Sequence, residues 1–191
     1  MTTTLSPRLT STARREQLLE AAADLVIERG VGAVTMEGLA VRAQVSKALP
    51  YKHFENADAV LVELYRREMA NLGAAVLEAV ATSDDPREQL RGAIRAYFDI
   101  VIQRGILLAN LSGSGSEIPQ MANAGDRIGT TFLGDLFVQN FGLPKAKARV
   151  AAALLLGALL GAVEALAHGE ASRSRLESAS ADLALHLIGI D

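Results

Sequence analysis

The chain has 191 residues, half of them hydrophobic, a formal net charge of −3 and no cysteine. That composition excludes a disordered polymer, disulfides, thiolate metal sites and cysteine nucleophiles. The length suits one large helical domain or a small domain joined to a medium one, and a reducing cytoplasm is consistent with the missing thiols.

Residues 1 to 13 carry threonine, serine and proline without an apolar stretch, so they read as a polar arm and not as a signal peptide. Helical periodicity then starts, with Leu18, Ala22, Leu25 and Val26 on one face of a helix over about Thr12 to Arg29. Gly30 stands where a C-terminal cap is wanted. Thr35 caps a second helix with Leu39 and Ala40 inward and Arg42 near its end, where a cation suits the helix dipole. Gln44 and Val45 form a short turn, and Ser46 is placed to cap a third helix reaching about Phe54.

From Ala57 the series Val60, Leu61, Leu64, Tyr65, Met69, Leu72, Val76 and Val80 sustains an apolar face over about six turns. Asp84, Asp85 and Pro86 mark the start of the next helix, which runs through Tyr97, Phe98, Val101 and Ile102. Gly105 is expected to break it before a short apolar helix, Ile106 to Leu111, and Ser112 to Ser116 reads as a flexible loop. Three more helices follow: about Gln120 to Phe141, about Lys145 to Ala167, and a final one with Leu176, Leu183, Leu187 and Ile188 on its apolar face. The longest apolar run, Val150 to Val163, has 14 residues and falls short of the roughly 18 to 20 that span a bilayer, so no membrane association is expected. The expectation is an all-α protein of about nine helices, with an arm and DNA-reading domain over residues 1 to 56 and a helical domain over 57 to 191.

Two short helices with a tight turn between them, Thr35 to Phe54, have the form of a helix-turn-helix. In that motif the second helix lays its N-terminal residues in the major groove while phosphate contacts position it. Up to residue 56 there are seven basic and six acidic residues, and twelve against sixteen thereafter, so charge asymmetry alone does not indicate nucleic acid. The position of residues within the motif has to carry the inference. Thr35 offers a hydroxyl at a helix N-terminus, where free backbone N–H groups also favour an anion. Ser46, Lys47, Tyr51, Lys52 and His53 lie on or beside the third helix; Lys47, Ala48 and Leu49 are best placed for base edges. His53 either reaches phosphate or packs beside Phe54.

The run Thr35-Met36-Glu37-Gly38-Leu39-Ala40, followed by Val45-Ser46-Lys47 and Tyr51-Lys52-His53-Phe54, resembles the signature of TetR-type transcriptional regulators. The specific match covers residues 14 to 63. The resemblance implies a homodimer on a palindromic operator in double-stranded DNA, and a C-terminal domain that binds a small-molecule effector and changes the spacing of the two DNA readers. Three positions depart from the family pattern: Ala48 replaces a common glycine, Pro50 an aliphatic residue, and Ala57 a lysine. With Ser46 as N-cap, Pro50 would delete one of the first intrahelical bonds, so the helix is either distorted or starts late. Ala57 removes a cation and with it one expected phosphate contact.

The expected effector pocket draws on Tyr97, Phe98, Val101, Leu107, Asn110, Leu111, Phe132 and Phe137, with Asn110 as polar anchor; the same residues also suit plain core packing. Ala153, Gly157, Gly161 and Ala165 recur every four residues and permit close approach of another helix. With Leu183 and Leu187 they form the expected four-helix dimer interface, the alternative being an internal core helix. Glu164 and His168 are either a surface pair or a polar anchor in a pocket. No catalytic triad, paired carboxylates or metal-ligand spacing is recognisable, so neither an enzyme nor a cofactor is expected. The remaining alternative is an adaptor whose helix-turn-helix has lost DNA binding.

Overall fold

A computed structural model describes residues 10–112, 117–118 and 128–190. All regular elements among them are helical. They are α1 (Ser11–Arg29), a single 3-10 turn (Val31–Ala33), α2 (Met36–Arg42), α3 (Ala48–His53), α4 (Ala57–Val80), α5 (Pro86–Ser112), α6 (Ile128–Phe141), α7 (Lys145–Ala167) and α8 (Arg173–Ile188). The expected all-α fold is therefore present. The first turns of the helix expected from Gln120, and the Ser-Gly stretch at 113–116, lie outside the described residues.

One expected boundary is corrected. Gly105 does not break α5, which continues through it to Ser112. A helical glycine costs about 1 kcal/mol relative to alanine. Burial of Leu107, Leu108 and Leu111, each worth about 2 kcal/mol, outweighs that penalty.

The chain divides into two compact units, and the division is not sequential: the first takes residues up to Arg67 together with Ile106–Ala122, the second Glu68–Gly105 with the remainder. The boundary expected at Ala57 therefore falls inside the first unit. The reason is that Val60 and Leu64, in the opening turns of α4, are fully buried.

In the first unit α1 is capped by Thr10, whose Oγ1 accepts from the Ala13 N–H at 3.2 Å, and ends at Gly30, where φ is +80°. Glycine adopts such a φ without steric cost. The buried apolar side chains of this unit include Leu18, Leu19, Ala22 and Val26 on one face of α1, together with Leu39, Phe54, Leu64, Leu107 and Leu111. Asn110 donates from Nδ2 to the Val26 carbonyl at 3.2 Å within this unit.

The second unit packs Leu90, Ile94 and Phe98 of α5 with Phe137 of α6, Leu155 and Leu159 of α7, and Ala184 and Leu185 of α8 in one cluster. Glu68, only 2% exposed, accepts from Arg104 Nε at 3.1 Å and Nη2 at 2.8 Å, a bidentate pair that ties α4 to α5. By length and hydropathy alone, α7 passes as a membrane span over its 23 residues. The 14-residue run understates it because Glu164 does not end the helix. One face of α7, Ala148, Ala152, Leu155 and Leu159, belongs to the core of this unit.

Candidate functional site

α2 and its flanks are organised by Thr35, whose Oγ1 accepts from the Gly38 N–H at 2.9 Å and caps the helix as expected. That cap requires glycine at 38, since a Cβ there would lie 2.9 Å from the same hydroxyl oxygen. Gly38→Ala is expected to cost about 1 kcal/mol by breaking the cap, yet to stabilise a Thr35→Ala background through helix propensity. Urea unfolding of the four variants reads the change of sign, and a cost that persists without Thr35 would show that the clash lies elsewhere.

The turn after α2 bends through Gln44, at φ +55° the one non-glycine residue with positive φ among the described residues. Gln17 on α1 fixes it by donating from Nε2 to the Ala43 carbonyl at 3.0 Å. α3 then starts at Ala48, with Lys47 as N-cap residue and no side-chain capping bond. Ser46 is therefore not the cap that its type suggests. Starting the helix late places Pro50 at its third position, where the backbone N–H has no intrahelical acceptor to lose. Pro50 is also fully buried, so its ring serves as core where the family pattern has an aliphatic side chain.

The end of α3 is held by Arg15, which the sequence pattern did not single out. Its guanidinium donates to both carboxylate oxygens of Glu63, donates through Nη1 to the His53 carbonyl at 2.5 Å, and stacks 4.3 Å from the centroid of the Phe54 ring. The bonds to Glu63 are the main reason that the Arg15 pKa is raised. One residue thus joins α1, the end of α3 and the start of α4. Asn56 caps α4, accepting at Oδ1 from the Ala59 N–H at 2.8 Å.

Around this frame Thr35, Ser46, Lys47, Ala48, Tyr51 and Lys52 are exposed, while Leu49 and His53 are half-buried. Tyr51 is 59% exposed, high for an aromatic residue next in sequence to the fully buried Pro50. Lys47 Nζ lies 3.0 Å from Glu37 Oε1, and both side chains are largely in solvent. Arg42, by contrast, is turned back onto α1, bonded to Glu28 and Asp24, and those bonds raise its pKa.

The second unit contains a partly open apolar cavity of about 110 Å³. Tyr97, Phe132 and Phe137 line it, joined by Met69, Leu72 and Leu156. The other residues expected there lie elsewhere. Phe98 is fully buried in the core cluster and Val101 is not in the wall. Leu107, Asn110 and Leu111 belong to the first unit, where the Asn110 amide is occupied by Val26. The expected polar anchor is thus a fastening of the first unit instead.

On α7, Ala153, Gly157 and Gly161 are exposed and Ala165 is half-buried; on α8, Leu183 and Leu187 are half-buried. Val150, Leu154 and Leu160 extend the exposed apolar face of α7. His168 Nδ1 lies 2.9 Å from the Glu164 carbonyl oxygen at the exposed end of α7, which makes this pair a helix-end contact.

Residues 18–64 match the tetR family of bacterial regulatory proteins. The transcriptional activator FasR of Mycolicibacterium smegmatis is 38% identical over 94 residues, 49% of this chain and 43% of that protein. The chain thus matches less than half the length of this curated relative. Among solved structures, a TetR-like transcriptional regulator from Rhodococcus sp. RHA1 superposes with a TM-score of 0.64 and 26% identity, covering 95% of this chain and 100% of that one. The transcriptional regulator FadR from Bacillus subtilis, solved in complex with stearoyl-CoA, has the same fold, with a TM-score of 0.68 and 19% identity over 92% and 98% of the two chains. The capped α2, the tight turn and the exposed α3 all lie inside residues 18–64, the segment that matches the tetR family of bacterial regulatory proteins.

Proposed function

We propose that the protein is a sequence-specific DNA-binding transcriptional regulator and not an enzyme: a cytoplasmic homodimeric repressor that leaves a palindromic operator when a small apolar effector binds. The observation that carries this reading is the exposure, on the six-residue α3 and its N-terminal flank, of Ser46, Lys47, Ala48, Tyr51 and Lys52, a set with both phosphate ligands and groups suited to base edges. Thr35 joins them, because a hydroxyl that accepts from the Gly38 N–H still has its proton to donate to phosphate. Leu49 and His53 stand at the margin of this face.

The dimer is supported by α7. A Cβ at Gly157 or Gly161 would meet, beyond the backbone of its own helix, no atom of the described residues within 4 Å, so no packing among them requires glycine there. Each costs its helix about 1 kcal/mol, a loss that close approach of a partner helix against Ala153, Ala165, Leu183 and Leu187 offsets. The effector reading rests on the cavity in the second unit and on a protein of the same fold being in complex with stearoyl-CoA. α4 supplies Met69 and Leu72 to that cavity and Val60 and Leu64 to the core of the first unit, so it is the element that carries the response. The effector must prefer the conformer that does not bind DNA, since equal affinity for both would shift nothing.

The test is selection of genomic fragments by the purified protein at near-physiological salt with competitor duplex, followed by titration of the recovered site. Enrichment of one palindromic site, weakened at least tenfold by Tyr51→Ala, is the expected result. No enrichment even at low salt would favour an adaptor. A second reading, activation instead of repression, is favoured by the similarity to FasR, a transcriptional activator. A reporter driven from the recovered site separates the two by the sign of its response to deletion of the gene.

A further inference from the structure

The wall of the cavity in the second unit is chemically uniform. Among the sixteen described residues that line it there is no acidic, basic, amide or serine or threonine side chain. Apart from the weak thioether acceptor of Met69, Tyr97 supplies the one side-chain heteroatom among these described residues. Tyr97 is half-buried, and among the described residues its hydroxyl has no hydrogen-bond partner, which leaves its proton for a ligand. Burial pushes this phenol up to about 12, so it stays neutral and keeps its proton to donate throughout the physiological range. A carboxylate or phosphate brought against such a wall would lose its hydration without gaining a counter-charge, whereas a neutral acceptor oxygen would lose less and recover a hydrogen bond.

We propose that this cavity selects an uncharged, hydrocarbon-rich ligand with one acceptor oxygen, of ketone, ester or ether type, held by the Tyr97 hydroxyl, and rejects anions of the same shape. The size of the site sets a further limit. At about 110 Å³ it is somewhat smaller than the cavity of roughly 150 Å³ known to accept benzene, so a group of about six heavy atoms fills it and any longer part of a ligand extends through its open side. This proposal rests on the reading of the cavity as the effector site, and it departs from a charged thioester such as stearoyl-CoA unless the charged portion stays outside.

The experiment titrates the full chain with cyclopentanone, methylcyclopentane and cyclopropanecarboxylate, matched at six heavy atoms each, at pH 7, by calorimetry or ligand-observed NMR. The ketone and the hydrocarbon are expected to bind and the carboxylate to bind at least tens of times more weakly. Tyr97→Phe is expected to weaken the ketone about fivefold and leave the hydrocarbon unchanged, which also shows that the cavity has kept its shape. Carboxylate binding as tight as that of the ketone, or a ketone affinity indifferent to Tyr97→Phe, would overturn the proposal. Saturable binding of none of the three would remove the cavity as an effector site altogether, while the DNA selection reports separately on the regulator.

Discussion

Replacing Arg104 with leucine is expected to lower the stability of the second unit by about 3 kcal/mol. Arg104 is 30% exposed at its side chain, but the Glu68 carboxylate to which it donates twice is 3% exposed, so the variant takes two charge-assisted bonds from a carboxylate that water does not reach easily. The double variant Arg104→Leu/Glu68→Leu should recover most of the loss, because an apolar pair of similar volume needs no desolvation of charge. Urea unfolding of the wild type, both single variants and the double closes the cycle. A loss below about 1 kcal/mol in Arg104→Leu would place the pair with solvated surface bridges, and its role in tying α4 to α5 would go with it.

The pair also illustrates what a sequence can and cannot announce. Glu68 and Arg104 lie 36 residues apart on two amphipathic helices, and nothing local marks them as partners. Local signals read well. The spacing of Leu18, Ala22, Leu25 and Val26 on α1 predicts the face that is buried, and Thr35 caps where its type and the following helix say it should. Where local rules compete, their ranking is not legible. Ser46 is a good cap by type, but Pro50 makes a helix that starts later the cheaper solution, and α3 begins at Ala48. Gly105 is a sound breaker by type, but three buried leucines after it hold the helix together.

Long-range partition is harder still. Tyr97 and Asn110 sit on the same helix and suit the same pocket by composition, yet they serve different units, because the partner of α5 changes along its length. Asn110 is decided by the Val26 carbonyl 84 residues away. Arg15 was missed for the same reason. A basic residue near a helix start looks like solvated surface until Glu63, His53 and Phe54 are brought around it.

The contact between Lys47 and Glu37 bears directly on the proposed DNA surface. In the free protein Lys47 Nζ is 3.0 Å from Glu37 Oε1, so a phosphate must compete with a carboxylate for the same ammonium group. Lys47→Ala is expected to weaken operator binding at least tenfold. It should also make the dependence of log affinity on log salt shallower by about 0.9 for each copy of the chain on the site, the signature of a lost phosphate contact. Glu37→Gln is expected to act the other way, tightening binding by about threefold per chain, which is the scale of an exposed ion pair. Both side chains are mostly in water, so a larger gain is not expected. The two effects are separable by measuring Glu37→Gln again in the Lys47→Ala background. If Glu37 acts by holding Lys47, its removal does little once Lys47 is gone; an equal gain in both backgrounds would mean that Glu37 opposes DNA only as a negative charge facing phosphate.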